Sequence, residues 1–567
     1  MLKRLSLLIV LAAAGAAWYL ALPPRARALP PLPSSVHAPV RGAIHIHTRR
    51  SDGTGTMDDV AAAAARAGLT FVIVTDHGDA TRTAEPPRYR QGVLSIDAVE
   101  ISTEGGHVVA LDLPKAPYPL AGEPRDVLDD IERLGGFSIA AHPGSEKPEL
   151  RWIEWTHGFG GLEWLNADSE WRDERPATLI HALLTYPFRR AESLATMLDR
   201  PDTVLRRWDV LAQRRRVVAV AAVDAHARIG LRTVGEPYDN SPRLPMPGYE
   251  QSFRTFSISL PDVTLTGNAV EDGRTVVAAI RAGHVYSTID AVATPGAVSF
   301  TALSGKTQSS GGDVLPAAGP VMLRVNAPLP PDARIVLLKD GEAVATQTGP
   351  DLQHAADRNP GVYRVEVRLP GAPGEPPVPW IVTNPIYVGR DPREAPIPDP
   401  HTPPKQFSVQ YENGQANGWR TETGPSSQAA LDVVGTPRVG TQVSIRYALG
   451  GAASMGPYAA AVMPAGNELA RFDRLMFSAR ADHPLRVSIQ LRVPNGAAGE
   501  RWHRSIYLDE TPRIVTIYFD DMTPKGRTER RRPVLSDVRD VLFVLDTVNT
   551  RVGTNGQIWL DDVKYAR

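Results

Sequence analysis

The chain has 567 residues, no cysteine, and 62 basic against 63 acidic side chains, a net charge of −1. Without cysteine there are no disulfides, no thiolate metal sites and no thiol nucleophile. Balanced charge excludes the basic footprint that a nucleic-acid partner requires, and the one basic run, Arg527 to Arg532, reads as a solvated loop.

At the amino terminus Lys3 and Arg4 precede an uncharged run from Leu5 to Leu22, followed by a proline-rich stretch to Pro39. This is the pattern of a signal sequence or a single membrane anchor with a tether, together residues 1–39. It predicts an extracytoplasmic protein, periplasmic or secreted, whose membrane contact runs through this segment.

From Val40 onward short apolar, β-branched runs alternate with helical segments. AIHIHT carries His45 and His47, FVIVTDH ends on Asp76 and His77, DAVE ends on Glu100, GGHVVAL opens on His107, FSIAAHPG carries His142, and VVAVAAVDAH ends with Asp224 and His226. Between them a helix is predicted over Met57 to Ala67, with Thr56 and Asp59 as a capping box and Gly68 as its stop. Others are predicted over Arg125 to Leu134, Ala177 to Leu198 and Thr203 to Arg215. Alternation of strand and helix predicts a parallel α/β barrel, with its chemistry at the carboxyl ends of the strands.

The polar ends of these buried runs are the anomaly. Imidazoles and carboxylates converging there leave costly polar groups unless something binds them, and divalent metals are the simplest answer. The ligand candidates are His45, His47, Asp52, His77, Glu100, His107, His142, Asp224 and His226. A nitrogen and oxygen set of this kind suits two or three ions of Zn, Mn or Fe. Arg49, Arg50 and Arg228 stand next to these ligands and are candidates for holding a substrate oxyanion. Asn166 and Asp168 end the run GGLEWLNAD at the same face, and His284 is a candidate for supporting a ligand from behind. No G-x-S-x-G elbow is present.

Beyond Ser304 the texture changes to short alternating strands. Residues 312–390 predict a small β-sandwich, Asp391 to Pro404 a proline-rich linker, and residues 405–567 an all-β jelly roll. The last resembles carbohydrate-binding modules in its strand pattern. Trp419, Trp502 and Tyr507 could stack on a sugar or fill the core.

The motifs of the first half, taken together, resemble the PHP (polymerase and histidinol phosphatase) family of metal-dependent phosphoesterases, in its carbaryl-hydrolase-like metallohydrolase branch. The resemblance spans residues 40–303 and implies a distorted (β/α)7 barrel. It implies one metal on His45, His47, Glu100 and Asp224, with Glu100 bridging to a second on His107 and His142, and a third on Asp52, His77 and His226. Asp52 departs from members with histidine there. The implied activity is hydrolysis of a phosphoester, from a small molecule or a glycan-linked ester, with a metal-bridging hydroxide as nucleophile. A carboxyl or carbamate ester hydrolase using the same site is the alternative, and a non-catalytic exported glycan- or envelope-binding protein is another.

Overall fold

The computed structural model describes residues 18–31, 38–230, 243–244, 246–316, 319–357, 359–392, 401–412, 414, 416–436, 440–451, 456–494, 499–526, 528 and 530–567. Among them no helix is long and apolar enough to cross a membrane, and residues 1–17 of the expected anchor lie outside the described set. The chain divides into two compact units. One comprises Met1–Gly78, Thr83–Pro114 and Ile131–Pro396, the other Asp79–Arg82, Lys115–Asp130 and Ile397–Arg567.

The first unit does not form the expected (β/α)7 barrel. Its strands divide between separate sheets, the two largest of them mixed in direction. In the longest, Val40–Ile44, Phe71–Val74 and Val93–Asp97 run parallel, but Ser257–Leu260 and Tyr286–Thr288 continue it antiparallel. A five-stranded sheet has Val218–Ala222, Gly161–Asn166 and Phe137–Ala140 parallel, while Gly106–Leu111 and Val99–Thr103 form an antiparallel hairpin at its edge. Alternation along the sequence misled because direction is decided by long-range pairing. The run through Glu100 is not the end of a strand: the chain breaks at Ala98 and begins a new strand in the other sheet.

One core serves both sheets. Ile44, Phe71, Ile73 and Leu94 pack with Val109, Ile139 and Val220, and the helix Ala269–Ala282 closes over them with Val276 and Ile280. The helix Met57–Ala67 forms as its ends dictate. Thr56 accepts from the Asp59 N–H, Asp59 accepts from the Thr56 N–H, and Gly68 stops it in the left-handed region at φ 74°. Ala177 to Leu198 is broken in two, Pro176–Thr185 and Arg190–Ala195, whereas Asp202–Ala212 is a single helix.

Residues 312–390 are not set apart as a sandwich of their own. Met322–Asn326 and Asp351–Ala355 extend a four-stranded antiparallel sheet, but Ile381–Thr383 pairs with Tyr286–Thr288, so Gly361–Arg368 and its neighbours prolong the long sheet that begins with Val40–Ile44. The second unit consists mainly of two antiparallel six-stranded sheets. Their inward residues, among them Ile445, Phe477, Ile489, Trp502, Phe543 and Tyr565, form its core, the alternating build of a β-sandwich.

Candidate metal centre

All nine candidate ligands lie in the first unit, and the fold brings them to one place. Val40–Ile44 delivers His45 and His47, the hairpin delivers Glu100 and His107, Phe137–Ala140 leads to His142, and Val218–Ala222 to Asp224 and His226. Two isolated bridges, Ile46 to Ala225 and His77 to Glu100, join the strand ends where the ligands sit. Asp52 arrives on a tight loop. Gly53 donates to the Thr48 carbonyl, and a Cβ at Gly53 would overlap the His47 carbonyl, so the loop needs glycine there.

Three of the nine hold left-handed backbone that non-glycine residues rarely adopt: His45 at φ 67°, His142 at 47° and Asp224 at 40°. Each lies within two residues of a strand end. Such conformations cost roughly 1–3 kcal/mol apiece and persist where the surroundings over-determine them, as at functional sites.

Glu100 is the hub. Its Oε2 lies 3.2 Å from each of His45 Nε2, His47 Nε2 and His77 Nδ1, and its Oε1 lies 2.8 Å from His107 Nδ1 and 3.6 Å from His142 Nε2. Asp224 Oδ1 lies 3.5 Å from both His45 Nε2 and His47 Nε2, and its Oδ2 accepts from His142 Nε2 at 2.9 Å. On the outer side Asp52 lies 3.3 Å from His47, 3.8 Å from His77 and 3.1 Å from His226.

The donor set fits divalent ions. His45 Nε2, His47 Nε2, His77 Nδ1, His142 Nδ1, Glu100 Oε2 and Asp224 Oδ1 are all buried without a hydrogen-bond partner, a costly arrangement unless these atoms bind something else. Ligands at about 2.1 Å from one ion stand about 3.0–3.4 Å apart, which matches the spacing around Glu100 Oε2. Four overlapping groups could each hold an ion: His47, Asp52, His77 and His226; His45, His47 and Asp224; His45, Glu100 and His142; His77, Glu100 and His107. The implied pairing of His107 and His142 on one ion is not among them. Each of these histidines groups with Glu100 beside a different imidazole.

Electrostatics agree with this grouping. Burial opposes charge on His47 and His142, but Asp224 and Glu100 outweigh it and raise them to about 10 and about 9. Burial and the His47 cation hold His77 down to about 4 against Glu100. Burial also opposes charge on Glu100, yet His45, His77 and His107 keep it well below the carboxylate range. A dication must therefore displace protons from the raised imidazoles, so its affinity falls as pH falls.

Two carboxylates hold the cage from behind: Glu163, which the sequence reading missed, and Asp76, which it placed at a strand end without a role. Glu163 Oε1 lies 2.5 Å from His45 Nδ1, while its Oε2 accepts from the His142 N–H at 3.0 Å and from Asn166 Nδ2 at 2.8 Å. Asp76 accepts from the Thr48 N–H, Thr48 Oγ1 and Ser51 Oγ, which fixes the loop that carries Asp52. The signal was available: Glu163 is a charged residue within a fully buried strand. Glu163→Gln should weaken metal binding roughly 10- to 100-fold, as loss of a ligand's supporting carboxylate does elsewhere. Competition with a chelator would measure it, and unchanged affinity would remove Glu163 from the support of the cage.

The other candidates divide. Arg228 Nη2 lies 3.0 Å from Asp52 Oδ2, against the ligand set. Arg50 does not serve a substrate, because its guanidinium is committed to Asp76, Asp97 and Glu85 at 2.9–3.2 Å. Arg49 is exposed, and only its backbone is fixed, by a bond to the Gly55 carbonyl. Asn166 donates to Glu163 and Asp224 and caps the following helix. Asp168 instead pairs with Arg172, and His284 with Asp313. A cavity of about 80 Å3 adjoins Asp224, His226 and Arg228, its far wall built from Leu194, Met197 and Phe256.

In the second unit Trp502 is fully buried, and its Nε1 donates to the Arg530 carbonyl, so it fills the core and cannot stack on a sugar. Trp419 is half-buried against Phe543, and Tyr507 lies under the Arg513 guanidinium.

No family model matches the chain, and no curated relative matches it. Among solved structures, the family 11 carbohydrate-binding module of a cellulosomal cellulase from Clostridium thermocellum aligns over 28% of this chain and 94% of its own, at 15% identity and a TM-score of 0.24. A family 30 module from the same organism aligns over 28% and 96%, at 12% identity and a TM-score of 0.22. Likeness this slight assigns neither a fold nor a ligand.

Proposed function

We propose that the chain is an exported metal-dependent hydrolase of the PHP type in its site chemistry, acting on a phosphoester. The observation that carries this reading is the convergence of five buried, unpartnered donor atoms from His45, His47, His77, Glu100 and Asp224, with His142 Nε2 beside them. His47, Asp52, His77 and His226 would hold one ion, and the residues around Glu100 and Asp224 one or two more, Zn, Mn or Fe. When bound, the ions would supply a water made nucleophilic at neutral pH and a Lewis acid for charge developing on the ester.

The chain's own residues bias the site towards anions. Three ligand carboxylates against two or three dications leave it cationic, and Arg228 adds a further positive charge beside Asp52. The cavity beyond His226 offers its apolar wall to the organic group of the ester. Glu163 and Asn166 hold the loops of His45, His142 and Asp224, so the cage is fixed before substrate arrives.

The test combines metal analysis of the purified chain with a panel of phosphomonoester, phosphodiester and carboxyl ester chromogens. Arg228→Ala should lower kcat/KM for phosphoesters about 10-fold or more, about 1.4 kcal/mol, and spare neutral esters. Faster turnover of the neutral ester by the unmodified chain, with no loss in the variant, would favour the carboxyl or carbamate ester alternative. A chain without bound metal and without turnover would support an exported binding protein.

A second reading concerns the carboxyl-terminal sandwich as a glycan-binding module, for which Trp419 supplies the half-buried aromatic face. Glycan-array binding by the full chain, lost in Trp419→Ala, would support it. Binding that survives this change would move the sugar elsewhere.

A further inference from the structure

Seven of the exposed large apolar side chains in the first unit lie on two short neighbouring segments, Trp18 to Leu20 and Ile180 to Phe188. Ile180, Leu183, Leu184 and Phe188 are 58%, 51%, 52% and 63% exposed. They lie on and just after the helix Pro176–Thr185, whose sequence PATLIHALLT carries no Asp, Glu, Lys or Arg, has His181 as its one ionisable side chain, and buries only Ala182 and Thr185. A surface helix normally turns its large apolar residues inward; this one turns them out. Trp18, Tyr19 and Leu20, also exposed, join the same patch. The Trp18 ring meets Phe188 edge-on at 5.9 Å, and Arg189 stacks 5.5 Å over Tyr19 and donates to the Pro23 carbonyl.

A groove of about 540 Å3 adjoins the patch through Phe188, and Arg25, Arg189 and Arg190 line it together with one further carboxylate, Glu192, so that cations outnumber it three to one. Arg41 and Arg254 line it too, but Asp290 and Glu250 neutralise them at 2.8 and 3.0 Å. A large apolar patch marks an interaction surface. Rings and aliphatic side chains beside a row of arginines form the pattern of a membrane interface, where apolar groups enter the acyl boundary and cations meet lipid phosphates.

We propose that this face of the first unit rests on an anionic phospholipid bilayer, with Ile180, Leu183, Leu184 and Phe188 at the acyl boundary and Arg25, Arg189 and Arg190 on lipid phosphates. Continuity favours a bilayer, since Trp18 to Leu20 close the uncharged run that begins at Leu5. A second copy of the chain fits less well, because a two-fold contact presents the same patch twice and brings the same arginines into one interface.

The absence of cysteine makes the test direct. Leu184→Cys, Phe188→Cys and, as a control, Val344→Cys on the exposed strand Glu342–Thr348 are each labelled with an environment-sensitive fluorophore. The labelled full-length chains are reconstituted into phosphatidylcholine and phosphatidylglycerol vesicles carrying spin-labelled lipid. Labels at Leu184 and Phe188 should shift to the blue and be quenched several-fold more than the label at Val344. The quenching should weaken when phosphatidylcholine replaces phosphatidylglycerol, and when Arg189→Glu and Arg190→Glu are combined. Labels that stay as water-exposed as the control would overturn the proposal. So would a blue shift without lipid quenching, the signature of a second copy, and equal quenching in phosphatidylcholine alone would overturn its anionic half.

Discussion

Glu100→Gln is expected to lower bound metal by more than one equivalent and to cut hydrolysis on the order of 10³-fold or more, about 4 kcal/mol of transition-state stabilisation. Glutamine keeps the shape and volume of the side chain but removes its charge and turns one oxygen into an N–H donor. That change meets three imidazole nitrogens at 3.2 Å around Oε2 and His107 at 2.8 Å from Oε1. Two of the four ligand groups contain Glu100, and they share no histidine. One substitution therefore weakens two ion positions, while His47, Asp52, His77 and His226 keep a site without it. Metal analysis after dialysis, set beside circular dichroism to show a retained fold, reads the result. A folded variant with full metal content or undiminished turnover would dismiss Glu100 as the hub.

Most of the candidate ligands were legible because they broke the apolar pattern at the edge of a buried run. His45, His77, His142 and Asp224 follow strands that are mostly buried and apolar, so their burial carries a cost that only a ligand or a polar network offsets. Glu163 broke the pattern within a run, between Leu162 and Trp164, and the same logic applied there would have found it. Sheet topology was not legible. Glu100 and His107 lie on neighbouring strands of an antiparallel hairpin, and Thr103 to Gly106, with Gly106 at φ 101°, is the turn that makes it so. The barrel was expected from the alternation of strand and helix, which does not show that this pair turns back on itself. Nor could composition tell that Ile381–Thr383 pairs with Tyr286–Thr288, because that register depends on a partner almost a hundred residues away.

The other large expected effect lies away from the cage, where Arg364→Ala should destabilise the first unit by roughly 3–5 kcal/mol. Arg364 is almost fully buried and makes a two-pronged contact with Asp209 at 2.6 and 2.8 Å, a third bond to Glu366 at 2.8 Å, and a stack 5.1 Å over Trp208. It ties the helix Asp202–Ala212 to the strand Gly361–Arg368, which is how the stretch after residue 312 is locked to the part that carries the candidate ligands. Removing the guanidinium leaves Asp209 and Glu366 as buried carboxylates with less compensation. Glu366 also makes the effect depend on pH. Burial opposes its charge, but Arg200, Arg364 and Arg368 bring it down from 4.5 to about 2. A depressed carboxylate contributes stability that is complete above its unfolded pKa and is lost as pH falls through the folded one. For this group the contribution is about 3 kcal/mol above pH 4.5, fading towards pH 2. Urea unfolding of Arg364→Ala and Glu366→Gln at pH 7 and at pH 3 measures both effects. The difference from the unmodified chain should shrink at pH 3 for Glu366→Gln. Metal content at pH 7 should stay unchanged in both folded variants, since neither residue touches a ligand. Full stability in Arg364→Ala, or a Glu366→Gln difference that does not narrow in acid, would show that water compensates this network and that the apolar packing of the long sheet holds the two parts together.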